Sequence, residues 1–522
     1  MLSILPILAI LFLLIIAAVT YILYRLWPSF PKLWLLVIIG TFLVWLMTLI
    51  TGLYLPQSIA LIPIQPENLF STTIMLLVDE FSWPYAFSLA TLSLSVLLTA
   101  MSRAGADSPK AWAGSLAITA VGMLAVYSAN PLTLVVTWAA MDMVEYGILL
   151  TQIHSSAMRR QVIFAFSVRA SSIILICWGA IIEQAMGIDL TFMSFAPNLS
   201  LFLLLASGLR LGVLPFHVPF LMELPLRRGL GTVIRAVPVA ASLMVLVRVA
   251  VTGIAPEWVT ILFVLAGLSA LLSGIAWASG ADELSGHPYW IMGMASLAFA
   301  SAVIYQPETS LAWGLALLLP GSMLFVASMR ERRHLWLLAL GIFVLSGVPY
   351  TPTWAGVNLY NDTISFPLLA LLVAQGFLLA GYVRFALASR QALSDLRPWA
   401  NVAYLLGVLL LPLTHLILGW WLGLISIESP WWPGITSLGI AVILIVLSRR
   451  RFGRFSDLAF RLGNFLKSIF SFGWLYKPVL IIFQVLDQIF MTITQVLEGE
   501  GGVLWALLIM ILLISISLSL FT

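Results

Sequence analysis

The sequence predicts an all-α protein that crosses a membrane many times. Three observations carry that prediction. The 522 residues are 62% hydrophobic and only 9% charged, with a mean hydropathy of +1.09, and a soluble domain of this length needs far more polar surface. The apolar residues come in runs of about 20, the length that spans a bilayer, and roughly 16 such runs can be counted. The basic residues between the runs cluster at every second junction, hence on one face.

The runs lie at 2–24, 33–54, 82–102, 112–129, 131–152, 162–184, 198–215, 230–252, 257–278, 288–305, 310–328, 334–356, 364–387, 398–423, 433–448 and 502–521. The first lacks a basic leader and a small-residue cleavage site, so it reads as a retained helix and not a signal peptide. Arg25 and Lys32 follow span 1, Arg103 and Lys110 span 3, Arg159 and Arg160 span 5, and Arg227 and Arg228 span 7. Arg330, Arg332 and Arg333 follow span 11, Arg390 and Arg397 span 13, and Arg449, Arg450 and Arg451 span 15. Every cluster follows an odd-numbered span, and one missed span would break the pattern. The positive-inside rule then puts these loops in the cytoplasm and the N-terminus outside.

Residues 453–500 are of another kind. Arg454, Asp457, Arg461, Lys467, Lys477 and Asp487 alternate with Phe, Leu and Ile, as in an amphipathic helix lying along a membrane face or a partner. Gly473 and Pro478 divide that segment. Within the spans, Pro238 interrupts span 8, and Gly347, Pro349 and Pro352 interrupt span 12. The breaks lie four spans apart. They are either ordinary proline kinks or the mark of two inverted five-helix repeats, spans 4–8 and 9–13. The organisation is then N-terminal transmembrane helices (1–110), a first repeat (111–252), a second repeat (253–387), C-terminal transmembrane helices (388–452), a lateral helix (453–500) and an anchoring helix (501–522).

Several function classes are excluded. The single cysteine, Cys177, lies in an apolar run, which rules out disulfides within the chain and cysteine-based iron–sulfur or zinc sites. No metal-ligand spacing, P-loop, nucleotide fingerprint or nucleophile constellation is present, so no catalytic residue, metal or cofactor is assigned to this chain. The net charge of +4 is spread over membrane-proximal loops and does not suggest nucleic acid. The implied environment is the lipid bilayer.

The informative residues are the charges inside the spans. Asp142, Glu145, Arg169, Arg210, Arg235 and Arg248 fall at membrane depth, and His217 lies near the end of span 7. A charge there costs about 3 kcal/mol or more unless paired, and usually marks function. Asp142 and Glu145 are three residues apart on one helix face, a two-carboxylate surface suited to arginine. One reading is an ion path from Asp142 and Glu145 to Arg210 to Arg235. A second is a fixed ion-pair network holding spans 5, 7 and 8, because arginine cannot relay protons. A third is a cluster that attracts an anion such as chloride or bicarbonate. His217 either titrates at the cytoplasmic mouth or caps the helix end. His154 is expected at the interface, and His415 satisfied by a neighbour. In spans 9–13 the acids Asp282, Glu283, Glu308 and Asp362, and His287, are expected in loops, leaving a packed apolar bundle with no relay.

A resemblance sharpens this picture. Leu76-Leu77-Val78-Asp79-Glu80-Phe81-Ser82, Trp138-Ala139-Ala140-Met141, Arg210 through His217 ending in Pro215-Phe216-His217, Gly321-Ser322 and Gly347-Val348-Pro349 follow one another in a fixed order. In that order and spacing the chain resembles the antiporter-like membrane subunits of respiratory complex I, Mrp cation antiporters, membrane-bound hydrogenases and inorganic-carbon accumulation complexes. Its tail resembles the long members, which carry a lateral helix and an anchoring span. The departures sit at the family's key positions. Ala139 stands where the family has a glutamate, and Arg210 where it has a proton-passing lysine. Arg235 stands for a histidine, Trp313 for a lysine, and Val357 for a lysine or glutamate. Asp142, on the face of Ala139, is a candidate substitute for the missing glutamate. The resemblance implies a membrane-arm subunit of a redox-driven proton- or cation-translocating assembly, like an NADH:quinone oxidoreductase or a membrane hydrogenase. Its partners would be other antiporter-like subunits and a redox arm, and flavin, iron–sulfur clusters and quinone would reside in those partners. The membrane would be a bacterial plasma membrane. The residues imply that the chain's own path is reduced or rewired, with a largely structural role. The alternative is a free-standing or two-component ion or bicarbonate transporter.

Overall fold

The computed structural model describes residues 4–28, 30, 32–62, 73–102, 108–152, 156–187, 191–192, 195–217, 228–328, 334–361, 365–388, 397–449, 465, 481, 485, 488, 491 and 510. These hold 16 α-helices: α1 (Leu5–Leu26), α2 (Leu33–Thr51), α3 (Ser82–Ala100), α4 (Pro109–Val126), α5 (Pro131–Gln152), α6 (Ser156–Ala185), α7 (Pro197–Leu211), α8 (Arg228–Thr252), α9 (Pro256–Ala278), α10 (Glu283–Val303), α11 (Pro307–Leu318), α12 (Pro320–Val326), α13 (Leu335–Leu345), α14 (Phe366–Ala386), α15 (Pro398–Trp421) and α16 (Trp432–Arg449). Eleven helical segments are long and apolar enough to cross a membrane, α11 and α12 together making one of them. Three shorter apolar helices (α7, α13, α16) and α10 bring the match to fifteen of the predicted spans. The sixteenth, 502–521, lies outside the described residues except for Met510, which is helical.

Local chemistry explains many of the starts. Proline opens α4, α5, α7, α9, α11 and α15. At the first helical position its missing N–H costs nothing and its fixed φ suits the helix. The spans are patterned inside out. In α1, Pro6, Ala9, Ile10, Leu13, Ile16, Ala17 and Thr20 face inward at three- and four-residue spacing. Leu8, Leu11, Ile15 and Ile22 are exposed, as expected where the surrounding medium is lipid. Buried hydroxyls bond back to the preceding turn, as Thr20 does to the Ile16 carbonyl at 2.6 Å and Thr41 to Val37 at 2.8 Å.

Between α2 and α3 lies an antiparallel hairpin that the hydropathy reading did not anticipate. Strand β1 (Gln57–Ile62) pairs with β2 (Ile74–Val78), with Ile59 opposite Leu76. The hairpin is tied to the ends of α4 and α5: Leu77 N–H donates to the Tyr127 carbonyl at 2.7 Å, and Met75 N–H to Thr133 Oγ1 at 3.0 Å. It defines a hairpin side of the bundle, opposite the side of the basic loops.

The breaks correct the sequence reading in one respect. Pro238 does not interrupt its span, because α8 runs unbroken from Arg228 to Thr252 and is buried almost throughout. Enclosed by neighbouring helices, it can carry a proline without losing its course. The first break is one span earlier. There α7 ends at Leu211, and Gly212 turns left-handed at φ 74. Val213 and Leu214 both donate to the Gly208 carbonyl, at 2.9 and 3.2 Å, which closes the helix end. The second break is where the sequence puts it: α13 stops at Leu345, Gly347 has φ 70, and the chain resumes as a 3-10 helix, Pro352–Tyr360. The broken member is thus the fourth in both groups of five spans. In each group the first span packs on the last, α4 on α8 and α9 on α14. Five is odd, so the second group enters from the opposite face, as inverted repeats require. α8 also packs on α10, α11 and α12, and so forms the seam between the repeats.

A separate compact unit comprises 467–522. Its described positions 481, 485, 488, 491 and 510 are helical. Ile481, Val485, Gln488 and Met491 follow a four–three–three spacing, share one helix face and are exposed. The rest of the predicted lateral and anchoring helices lies outside the described residues.

Candidate functional site

Three elements of the first repeat bring charge to mid-membrane. Asn130 caps α5 by accepting from Thr133 N–H at 2.8 Å. About three turns further along, roughly 16 Å into the helix, α5 presents Asp142, with Glu145 on the same face. Arg169 and Ser172 come from α6, and Arg210 from the last turn of α7, just before the break.

Arg210 grips Asp142 with both ends of its guanidinium. Nη1 donates to Oδ2 at 2.8 Å and Nη2 to Oδ1 at 2.5 Å. Nη1 also reaches Ser172 Oγ at 3.3 Å, and the guanidinium lies 4.3 Å from the centre of the Trp138 ring. Arg169 forms an ion pair with Glu145. Ser172 Oγ donates to the Arg169 carbonyl at 2.5 Å, which ties the two pairs together. None of the four charged residues is more than 5% exposed. Two carboxylates and two guanidiniums make a neutral set, the condition under which charge is tolerated at this depth. The fork geometry suits a carboxylate in a way an ammonium does not.

A third pair closes the hairpin side. Arg248, near the end of α8, binds Asp79 through Nη1 to Oδ2 at 2.6 Å and Nη2 to Oδ1 at 2.8 Å. Asp79 also accepts from Phe81 N–H at 3.2 Å, Ser82 N–H at 3.0 Å and Ser82 Oγ at 3.0 Å. It thereby shapes the turn from β2 into α3. The sequence reading named Arg248 but did not name Asp79 as its partner. The signal was present: an acid three residues before a serine at a strand-to-helix junction is a turn-forming aspartate.

Arg235 departs from the proposed line Asp142/Glu145 to Arg210 to Arg235. Arg210 is committed to Asp142 and Ser172, while Arg235 Nη1 lies 3.4 Å from His287 Nδ1 of the second repeat. His217, 4% exposed, sits in the turn after the α7 break with Nδ1 2.7 Å from the Pro215 carbonyl.

The second repeat is less purely apolar than the sequence suggests. Glu283 and His287 are not in a loop. The N-terminus of α10 begins five residues before the predicted span, capped by Asp282, whose carboxylate accepts from Leu284 and Ser285 N–H. Both residues are buried. Glu283 pairs with Arg228, the first residue of α8, and the His287 ring stacks on Phe325 at 3.6 Å. Pro288, the first residue of the predicted span, lies inside the helix. Elsewhere the repeat is filled. Trp313 Nε1 donates to the Gly356 carbonyl at 2.8 Å, and Val357 packs against Gly347, where a Cβ would lie 2.5 Å from Val357 Cγ2. At the break, Thr353 Oγ1 donates to the Val344 carbonyl at 2.5 Å and accepts from Gly347 N–H at 3.2 Å. The freed backbone is thus satisfied by a hydroxyl. His415 is buried, and neither ring nitrogen has a protein hydrogen-bond partner, so the neighbour expected for it is not found among the described residues. His154 lies outside them. No three His, Cys, Asp or Glu side chains gather around a possible metal position among the described residues.

No protein-family model and no curated protein matches the sequence. Solved structures do match the fold. A chain of the Mrp complex from Dietzia sp. DQ12-45-1b superposes with a TM-score of 0.69 at 13% identity, covering 99% of this chain. This chain spans 63% of the length of that one. A chain of the membrane-bound sulfane sulfur reductase, an archaeal respiratory membrane complex, gives 0.66 at 15% identity, covering 98% of this chain and 99% of its own. A chain of respiratory complex I from Thermus thermophilus, solved with bound aureothin, gives 0.57 at 18% identity, covering 80% and 98%. At these identities the likeness establishes the fold, a polytopic helical architecture shared with these chains of the Mrp complex, the sulfane sulfur reductase and complex I.

Proposed function

We propose that this chain is a membrane-arm subunit of a complex I-like, redox-driven proton- or cation-translocating assembly, in which its own charges act as fixed ion pairs and its role is largely structural. The observation that carries the reading is the bidentate Arg210–Asp142 pair at mid-membrane. In the resembled family a lysine at that position binds and releases a proton. A guanidinium stays protonated under all ordinary conditions, so it holds a partner but passes nothing on. The positions of the second repeat that would continue a path are occupied by Trp313 and Val357.

The pairs join separate spans. Asp142–Arg210 joins α5 to α7, Glu145–Arg169 joins α5 to α6, and Asp79–Arg248 joins the start of α3 to α8. Breaking one pair at depth leaves an uncompensated charge, at a cost of about 3–5 kcal/mol. The partners would be other antiporter-like subunits and a redox arm holding the flavin, iron–sulfur and quinone chemistry. The basic loops would face the cytoplasm of a bacterial cell and the N-terminus the outside.

The test is gentle affinity purification of the full chain from native membranes, with mass spectrometry of what accompanies it. Co-purification with further antiporter-like subunits and an iron–sulfur arm supports the reading. Recovery of the chain alone, or with one unrelated soluble protein, overturns it in favour of a free-standing or two-component transporter.

A further inference from the structure

A groove of about 460 Å³ opens along the outer surface of the first repeat. Its floor is α4, and its walls are α1 and α5, both of which pack on α4. It exists because the facing positions carry almost no side chain: Ala17, Ala113, Gly114, Ala117 and Gly147. A Cβ placed on Gly147 would meet nothing within 4 Å.

The groove is graded in polarity. Towards mid-membrane it is lined by Leu14 and Val144. At the basic-loop end it meets Tyr21, Thr151 and Lys110, the second residue of α4. The α1 stripe that lines the wall (Leu14, Ala17 and Ala18, Tyr21) continues one turn on to Arg25. Neither Arg25 nor Lys110 is in an ion pair among the described residues. Two uncommitted cations therefore stand at the wet end of an apolar channel that runs towards the bilayer centre. The α4 N-terminus adds its own partial positive charge beside Lys110.

We propose that this groove holds an anionic glycerophospholipid, with its phosphate at Arg25 and Lys110 and one acyl chain lying over the alanines and glycines of α4 and α5. Charge, polarity gradient and position relative to the bilayer all match that molecule. Basic pockets between membrane helices bind anionic head groups for the same reason. A transmembrane helix from a neighbouring subunit would also fit small residues, but it would leave the two cations without an anion.

The experiment uses the purified, delipidated full chain in detergent, titrated with dioleoylphosphatidylglycerol or dioleoylphosphatidylcholine and read by native mass spectrometry. The wild-type chain is expected to prefer phosphatidylglycerol. Lys110→Ala should weaken phosphatidylglycerol about fivefold, the worth of one cation near the surface, and leave phosphatidylcholine unaltered. Gly147→Leu projects into the groove from a position where a Cβ meets nothing within 4 Å, and it should weaken both lipids. Equal binding of the two lipids by the wild-type chain overturns the proposal, as does wild-type binding by both variants. A Gly147→Cys chain that cross-links to a subunit helix in the native complex overturns it in favour of a protein occupant.

Discussion

Asp142→Asn separates a fixed ion pair from a proton path. The substitution keeps the shape and one acceptor oxygen but removes the charge that neutralises Arg210, a residue 3% exposed. Loss of one partner from a buried pair costs about 3–5 kcal/mol. The asparagine oxygen still accepts one hydrogen bond from the guanidinium, worth about 1.5 kcal/mol. The contacts of Arg210 with Ser172 and Trp138 are already made in the native protein and offset nothing further. The net loss is about 1.5–3.5 kcal/mol, roughly 10- to 400-fold in the balance between folded and unfolded chain.

A polytopic membrane protein does not unfold in two states, so the proper readouts are the half-life at fixed temperature and, on the proposed reading, the yield of assembled complex. Both should fall. Protons moved per electron should stay unaltered in whatever complex remains. The double substitution Asp142→Leu with Arg210→Met removes both charges and should recover most of the loss, because apolar replacement of a whole buried pair is often neutral. Normal yield and half-life in Asp142→Asn, with fewer protons per electron, would refute the argument and make Asp142 a titrating site.

Three further outcomes follow from the same geometry. Asp79→Asn should shorten the half-life by the same mechanism and further loosen the hairpin-to-α3 turn, detectable as faster proteolysis near residue 79; unaltered cleavage counts against the turn's dependence on this carboxylate. Gly347→Ala should cost about 1–2 kcal/mol for its left-handed backbone alone, and more for the approach to Val357, so complex yield should drop; a normal yield would show that the break can rearrange. Trp313→Phe removes the buried indole donor to the Gly356 carbonyl, an expected loss of about 1–3 kcal/mol visible in thermal denaturation and with no effect on ion flux.

Much of the fold was legible because the bilayer constrains it so strongly. Span length and the alternation of basic loops located fifteen helices, and proline at the first helical position marked many starts. What the sequence hid was tertiary. Pro238 looked like a break because a soluble helix pays for an internal proline, whereas α8 is enclosed on all sides and runs through it. Gly212 is the true break, but a single glycine in an apolar run gives no hint that its φ will be positive. Pro288 similarly masked the first turn of α10, and with it the burial of Glu283 and His287. Strands β1 and β2 were missed because a short apolar strand beside a span looks like the span's continuation. Of the candidate site, the i, i+3 spacing exposed Asp142 and Glu145 as one face, and depth exposed the arginines. The assignment of each arginine to its acid required the packing.

The pairings also explain why arginine stands at position 210. A lysine there would offer a compact, strongly hydrated charge that loses its proton more readily when buried. Such a group suits a relay and makes a poor clamp, because its one nitrogen cannot span both carboxylate oxygens. Arginine reverses both properties. Its fork meets Oδ1 and Oδ2 of Asp142 together, its face lies over Trp138, and its charge persists whatever the neighbours do. The position of the acid suits that fork. At Ala139 a side chain would project about 60° away around α5, whereas Asp142, almost one turn on, points where the guanidinium fork can take it square on. On the proposed reading, the residues that make a poor proton relay in the first repeat are therefore the same ones that tie its spans together.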